Sequence, residues 1–289
     1  MTTQPSSVPV VRTVDDLRDQ VRAWRADRQR VALVPTMGAL HHGHLSIVHL
    51  ARQHADRVVV SIFVNPKQFG PGEDFDRYPR QEDDDRRKLE EAATDLLYAP
   101  TPPEMYPDGF ATTVSVRGVT EGLCGGARPG HFDGVTTVVT KLLLQCLPDV
   151  ALFGEKDYQQ YLTLKHLVRD LDIPLTVLPA PIVRDADGLA TSSRNVYLSP
   201  AERSVALTLP ATLNTLVEAL GDGRDAAPLL AEGVCKLKAA GFDPVDYLEL
   251  RDAETLVLVD RVRSPARILA AAHVGRTRLI DNMAVLPKS

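Results

Sequence analysis

The sequence predicts an α/β protein: a parallel sheet with helices on both faces, followed by a smaller α+β domain. Two observations carry this. Short apolar runs suited to strands buried on both faces alternate with helical patterns: Val31–Val34, Arg57–Val64, Asp95–Tyr98, Asp149–Phe153 and Leu175–Val183. From Ser199 the texture changes to alanine-rich helices, and then to three strand-like runs, Val245–Leu250, Arg267–His273 and Thr277–Val285. A chain of 289 residues has room for about two domains. The boundary is set near Val183, giving 1–183 and 184–289.

Thr13–Arg28 carries Val14, Leu17, Val21 and Trp24 at helical spacing, with Asp15 and Asp16 in its first turn, and reads as a covering helix. The stretch Val31–His44 then organises the rest. Val31–Val34 is a strand that Pro35 and Gly38 stop, and a helical pattern runs from Leu45 to His54. His41 and His44 are three apart, on one face of that helix's first turn. The unpaired N–H groups and positive dipole end of a helix start suit a phosphate, and the same field favours a neutral imidazole. The residues alone leave a surface histidine cluster, or an adventitious metal site helped by His42, His49 and His54, open as alternatives. No Lys-Ser/Thr follows Gly38 or Gly43, and neither G-x-G-x-x-G nor H-E-x-x-H occurs.

The next strand ends in Asn65-Pro66-Lys67-Gln68, which places Asn65 and Gln68 at the carboxyl edge where open α/β sheets bind ligands. Glu82–Asp85 opens a helix. Its acids are dipole partners, with a magnesium role for Asp84 and Asp85 as the sharper expectation. Pro100–Gly109 reads as a proline-rich loop. Leu123–Phe132 reads as glycine-rich and mobile, with Arg128 and His131 as polar tips, and Gly134–Leu147 is an apolar helix. After Phe153 come Gly154, Glu155, Lys156, Asp157 and, four beyond the lysine, Gln160. A cation at a helix start opposes the dipole unless an anion stands before it, and at a strand's carboxyl end this favours Lys156 as a phosphate ligand over a surface ion pair with Glu155 or Asp157. Past Arg184–Gly188, a turn, Thr191-Ser192-Ser193-Arg194 offers hydroxyls and a guanidinium. Ser199-Pro200-Ala201-Glu202 is a capping box with proline at the first helical position.

Composition narrows the classes. With 44% hydrophobic and 25% charged residues the chain is an ordinary globular protein, and a net charge of −5 gives no footing for nucleic acid or an anionic membrane. No run of eighteen apolar residues occurs. Met1–Val10 is polar and proline-bearing, unlike a signal peptide. Three widely spaced cysteines without C-x-x-C fit a reducing cytoplasm.

Pro-Thr-Met-Gly-Ala-Leu-His-His-Gly-His, Ser-Ile-Phe-Val-Asn-Pro-Lys-Gln-Phe, Phe-Gly-Glu-Lys-Asp-Tyr-Gln-Gln and Asp-Gly-Leu-Ala-Thr-Ser-Ser-Arg-Asn resemble, in order and spacing, the pantoate–β-alanine ligase family. The resemblance runs from about Val31 to Leu286. That family belongs to the nucleotidyltransferase-like Rossmann superfamily, whose His-x-Gly-His is met here as His41-His42-Gly43-His44. The resemblance implies ATP-dependent condensation of pantoate with β-alanine through pantoyl adenylate, with Mg²⁺ accompanying ATP, and a homodimer. Another nucleotidylyltransferase of the superfamily is the alternative.

The resemblance places ATP on Met37, Gly38, Ala39, Leu40, His41, His42, Gly43 and His44, and on Gly154, Glu155, Lys156 and Asp157. Val183 matches a backbone contact to adenine, and Thr191, Ser192, Ser193 and Arg194 the phosphate loop. Gln68 and Gln160 match the pantoate ligands, with Asn65 beside them. His41, His44, Lys156 and Arg194 are the implied catalytic set, His44 as proton donor. The C-terminal domain is the expected lid. Two residues depart from the family pattern: Thr191 stands where methionine is common, and Cys124 where some relatives carry an acid.

Overall fold

A computed structural model describes residues 8–288. The expectation for Met1–Val10 therefore lies, as far as Ser7, outside the described residues. The strands are β1 (Val10–Val11), β2 (Val31–Thr36), β3 (Arg57–Ile62), β4 (Leu96–Tyr98), β5 (Val150–Gly154), β6 (Thr176–Ala180), β7 (Val245–Asp252), β8 (Ala266–Val274) and β9 (Thr277–Val285). The helices are α1 (Val14–Ala26), α2 (His42–Ala51), α3 (Glu82–Glu91), α4 (Pro102–Met105), α5 (Leu123–Ala127), α6 (His131–Cys146), α7 (Tyr158–Asp170), α8 (Pro200–Ala206), α9 (Thr208–Gly221) and α10 (Ala226–Ala240). Among the described residues no helix is long and apolar enough to cross a membrane.

Two compact units share these elements. The first gathers the described residues up to Val116 with Arg128–Glu155 and Thr163–Pro181. The second gathers Arg117–Ala127, Lys156–Leu162 and residues from Ile182 onward. The sequence reading placed 117–127 and 156–162 with the first domain. Hydrogen bonds between distant parts of the chain make the difference. Tyr158 Oη donates to Ala253 O at 2.9 Å, and buried Gln159 accepts from Cys124 N at 2.9 Å and donates to Val119 O at 3.0 Å.

In the first unit all strands run parallel, in the order β1-β4-β3-β2-β5-β6. Val31–Val34, Val58–Val60 and Leu96–Tyr98 are buried almost completely, as expected of strands covered on both faces. The chain steps outward from β2 to β3 and β4, then returns to the other side of β2 for β5 and β6. This puts the switch point between β2 and β5. Pro35 does not end β2. Val31 O accepts from Asp149 N and Thr36 O from Phe63 N, so odd positions of β2 face β5 and even ones β3. The β2–β5 pairing ends at Leu33, so the N–H that Pro35 lacks is one no ladder requires. The two strands part there, and α2 packs against β2 and β5.

The second unit is built on the antiparallel sheet β7-β8-β9, with α8, α9 and α10 closing a separate core around Leu213, Leu237, Leu250 and Ile268. Ser199 and Glu202 form the expected capping box at α8. The alanine-rich stretch holds three helices, since the part up to Leu220 divides into α8 and α9. α4 and α5 are short helices inside segments read as loops.

Candidate active site

The loop leaving β2 carries the first cluster. Gly38 and Ala39 both take positive φ, +81° and +52°. Such a pair turns successive N–H groups into one concavity suited to an anion. Here the anion is Asp85 of α3, whose two carboxylate oxygens accept from Ala39 N at 2.8 Å and Leu40 N at 2.7 Å. These charge-assisted bonds offset the strain of a left-handed alanine, about 1–2 kcal/mol. Lys88, one turn along, donates to Leu40 O at 2.7 Å. Burial raises the Asp85 carboxyl above its ordinary range despite the hydrogen bonds from Leu40 and Ala39. Asp84 pairs with Lys88 at 2.6 Å and Arg87 at 3.0 Å. The described residues hold no group of three or more His, Cys, Asp or Glu able to bind a metal. Asp85 thus supports the loop and Asp84 is a surface ion-pair partner, and neither belongs to a protein-only metal cluster.

The loop delivers His41 as the N-cap of α2, and His44 as its third helical residue. The two histidines thus bracket the first turn of the helix, where the sequence places them. The two rings lie 4.0 Å apart at 32°. His44 Nδ1 accepts from His41 N at 3.4 Å. That bond requires a lone pair on Nδ1 and places the proton of neutral imidazole on Nε2. A donor is thereby presented at the positive end of α2, beyond the carboxyl end of the central strand. His42 is exposed, and Gly43 O accepts from Ser46 Oγ at 2.8 Å.

The turn after β3 carries the second cluster. Asn65, 1% exposed, spends its amide internally. Its Nδ2 donates to Gln68 Oε1 at 3.0 Å and Gly134 O at 3.1 Å, and its Oδ1 accepts from Tyr106 Oη at 2.7 Å. Asn65 therefore orients Gln68 through the side chain. Gln68 Nε2 reaches Met37 Sδ at 3.1 Å, which joins the two clusters. The Gln68 carbonyl is held too, by Arg128 Nη2 at 3.2 Å and His131 Nδ1 at 2.8 Å, while Glu73 pairs with Arg128 at 2.5 Å. Because a carbonyl only accepts, His131 Nδ1 carries a proton. The Arg128–His131 tips are thus braces of the turn. At Gly134 a Cβ would lie 2.2 Å from Lys67 O, so only glycine lets α6 pack this closely. Tyr106 and Gly134 escaped sequence reading, since neither forms part of a recognisable spacing.

In the second unit Lys156 lies in a 3₁₀ turn, Glu155–Asp157, rather than in α7 itself. The turn is held through its backbone: Asn282 Nδ2 donates to Lys156 O at 2.9 Å, and Asn282 Oδ1 accepts from buried Arg267 at 2.6 Å. Gln160 is half-buried on the first turn of α7. Val183 O accepts from Thr191 N at 3.0 Å, closing a hairpin-like turn in which Arg184 makes a two-pronged ion pair with Asp281 at 2.8 and 3.0 Å. Ser192 caps the 3₁₀ turn Ser193–Tyr197 by accepting from Arg194 N at 3.3 Å, and Ser192, Ser193 and Arg194 are half-buried.

Fold and site together define a nucleotide-binding α/β protein of Rossmann type. The family model for pantoate-beta-alanine ligase matches residues 9–284. The chain is 57% identical over 282 residues to the pantothenate synthetase of Paramagnetospirillum magneticum, covering 98% of this chain and 99% of that one. It is similar to the crystal structure of pantothenate synthetase from Thermus thermophilus at a TM-score of 0.91 and 48% identity, covering 97% and 100% of the two chains. It is also similar to the pantoate-beta-alanine ligase of Francisella tularensis complexed with beta-gamma ATP and β-alanine. That likeness has a TM-score of 0.82 and 32% identity and covers 96% and 97% of the chains. The chain belongs to the pantoate–β-alanine ligase family.

Proposed function

We infer that this chain condenses pantoate with β-alanine at the expense of ATP, giving pantothenate, AMP and diphosphate. Family membership supports the overall reaction, as does the relative from Francisella tularensis with a nucleotide and β-alanine bound. The observation that carries the chemistry is the His41–His44 pair at the start of α2, with the Nε2 proton of His44 directed by the backbone bond to Nδ1.

In the first half-reaction a carboxylate oxygen of pantoate attacks the α-phosphorus of ATP. The bond to the β-phosphate bridging oxygen breaks, and diphosphate leaves. His44 donates from Nε2 to the phosphate oxygens, where charge grows. Lys156 and Arg194 are the further cations of the assignment, and Ser192 and Ser193 its hydroxyl donors to the triphosphate. In the second half-reaction the β-alanine amine attacks the acyl carbon of pantoyl adenylate, loses a proton, and expels AMP. Gln68 and Gln160 serve the pantoate hydroxyls, with Asn65 acting through Gln68.

Magnesium, which such reactions draw in with ATP, keeps several waters and binds largely through substrate phosphates. The ion would therefore arrive with the triphosphate, and Asp84 and Asp85 would meet it from positions that also hold Lys88 and the Ala39 and Leu40 N–H groups. A homodimer is the assembly assigned with this reading.

Incubation with ATP, Mg²⁺ and pantoate, without β-alanine, tests the sequence of events. About one diphosphate per site should be released in a burst that then stops, the signature of pantoyl adenylate held in the site and shielded from water. No release until β-alanine is added would overturn the adenylate route.

A further inference from the structure

The segment Ser192-Ser193-Arg194 is short, half-buried and close to many charged groups, yet its immediate neighbours converge on a single carboxylate. Asp185 Oδ1 accepts from Thr191 Oγ1 at 2.6 Å, and Asp185 Oδ2 accepts from Asn195 Nδ2 at 3.4 Å. Thr191 and Asn195 are the residues on either side of the triplet. Thr191 is 7% exposed, and its N–H is used by Val183 O, so the residue is fixed at backbone and side chain alike. Asn195 Nδ2 also donates to Ala190 O at 3.1 Å, and Asn195 N to Ser192 O at 3.0 Å.

The carboxylate itself is fixed. Asp185 N donates to Leu189 O, and Gly188 N to Asp185 O, both at 2.8 Å. Arg203 of α8 donates to Asp185 Oδ2 at 2.7 Å and to Asp187 Oδ2 at 2.8 Å. We propose that Asp185 is the positioning residue of the phosphate segment, its one carboxylate pinning both flanks of Ser192-Ser193-Arg194. This rests on the reading of that triplet as the ATP phosphate ligand. It also gives Thr191 a purpose. Where methionine is common in the family this chain has a hydroxyl, and a hydroxyl can donate to the half-buried carboxylate where a thioether cannot.

Burial by itself would raise the Asp185 carboxyl. The hydrogen bonds from Thr191 and Arg203 hold it below the ordinary carboxylate range instead, so it is a full anion at neutral pH.

Thr191→Val keeps the branched shape and removes only the hydroxyl. The KM for ATP should rise about tenfold, the equivalent of one hydrogen bond to a charged group. kcat should fall by less than that, and the KM for pantoate should hold. Thr191→Ser should recover most of the loss, and reaction of pre-formed pantoyl adenylate with β-alanine should be spared, since that step no longer involves the β- and γ-phosphates. Asn195→Ala, removing the longer arm, should give a smaller rise. Arg194→Ala is the control for the underlying reading. If it raises the ATP KM and Thr191→Val does not, the anchor is refuted while the triplet stands. If neither variant moves it, the triplet does not bind phosphate and the anchor falls with it. If Thr191→Val lowers melting temperature and weakens both substrates alike, with no recovery by serine, the contact is merely structural and the proposal is wrong.

Discussion

Two short segments carry substrate ligands in the proposed reaction, one in each unit, and they are held in opposite ways. The Asn65 end of the Asn65–Gln68 turn rests on neutral groups, an amide, a phenol, a backbone carbonyl of α6 and a helix packed so closely that position 134 admits only glycine, and a single ion pair, Arg128–Glu73, stands behind the Gln68 carbonyl. The Thr191–Arg194 segment rests on ions. Asp185, Asp187 and Arg203 brace it, and the Arg184–Asp281 pair holds the turn leading into it. Neutral, buried bracing gives a fixed shape with little dependence on salt, which suits the recognition of hydroxyls. Apart from the buried Asp281, these pairs are partly exposed, hence screened and individually weak, so the segment they hold can adjust as a polyanion enters and leaves. The difference also shows in where each brace comes from. The turn is locked by residues far along the chain, the segment largely by residues within about twenty positions of it.

The largest effect sits in neither segment and sets the scale for both. His44→Ala should cut the rate of diphosphate release by about two to four decades, the range of a lost acid or oxyanion donor, and leave melting temperature unchanged. Single-turnover quench-flow with ATP and pantoate measures it. A near-native rate would take His44 out of the chemistry and leave the two segments without a reaction to serve.

The neutral brace is broken by Gly134→Val. A Cβ at 2.2 Å from Lys67 O and 2.6 Å from Gln68 N must push α6 and the turn apart. Overpacking of this kind costs about 1–3 kcal/mol of stability. The KM for pantoate should rise by at least about tenfold as the Gln68 amide loses its placement, with the ATP KM much less affected. Equal weakening of both substrates would mean that the turn is not a dedicated pantoate element.

This asymmetry bears on what could be read from the sequence. The parallel sheet was legible because Val31–Val34, Val58–Val60 and Leu96–Tyr98 lie between two layers of helices and so form unbroken apolar runs. β1, two residues long and paired only along β4, gives too little pattern to detect. Pro35 read as a stop because a sequence does not show which side of a strand has lost its neighbour. That His41, His44, Gln68 and Lys156 follow the carboxyl ends of strands was legible from motif and spacing. Their supports were not. Tyr106 and Gly134 reach Asn65 from 41 and 69 positions away, and Asp85 reaches the Gly38–Leu40 loop across 46. Asp85 shows the cost: an acidic run at a helix start suggested a metal, and only the fold shows its oxygens turned onto two backbone N–H groups.

The smallest expected effect belongs to the outermost ion of the charged brace. Asp187 takes two hydrogen bonds from Arg203, at 2.8 and 3.1 Å, but its side chain is 33% exposed, and Asp185 holds the same guanidinium from the more buried side. Exposed pairs contribute about 0–1 kcal/mol once solvent screening is counted. Asp187→Asn should therefore change the ATP KM by less than about twofold, and that remainder should vanish near 1 M salt, where the screening length shrinks to about 3 Å. Its pH dependence has a definite sign. The hydrogen bond from Arg203 holds the Asp187 carboxyl below its ordinary range, as the bonds from Thr191 and Arg203 outweigh burial for Asp185. A carboxyl depressed by folding stabilises the fold above its unfolded pKa, about 3.9, and loses that contribution as pH falls through the lower folded value. The brace is then complete at neutral pH, and the protection of the 184–195 amides, taken relative to their intrinsic exchange rates, should stay constant down to about pH 4 and fall only below it. In Asp187→Asn the acid-side loss should shrink but persist, because Asp185 still titrates. A variant that lost the whole pH response, or that raised the ATP KM as far as Thr191→Val, would locate the brace in the exposed pair and not in the carboxylate that touches both flanks.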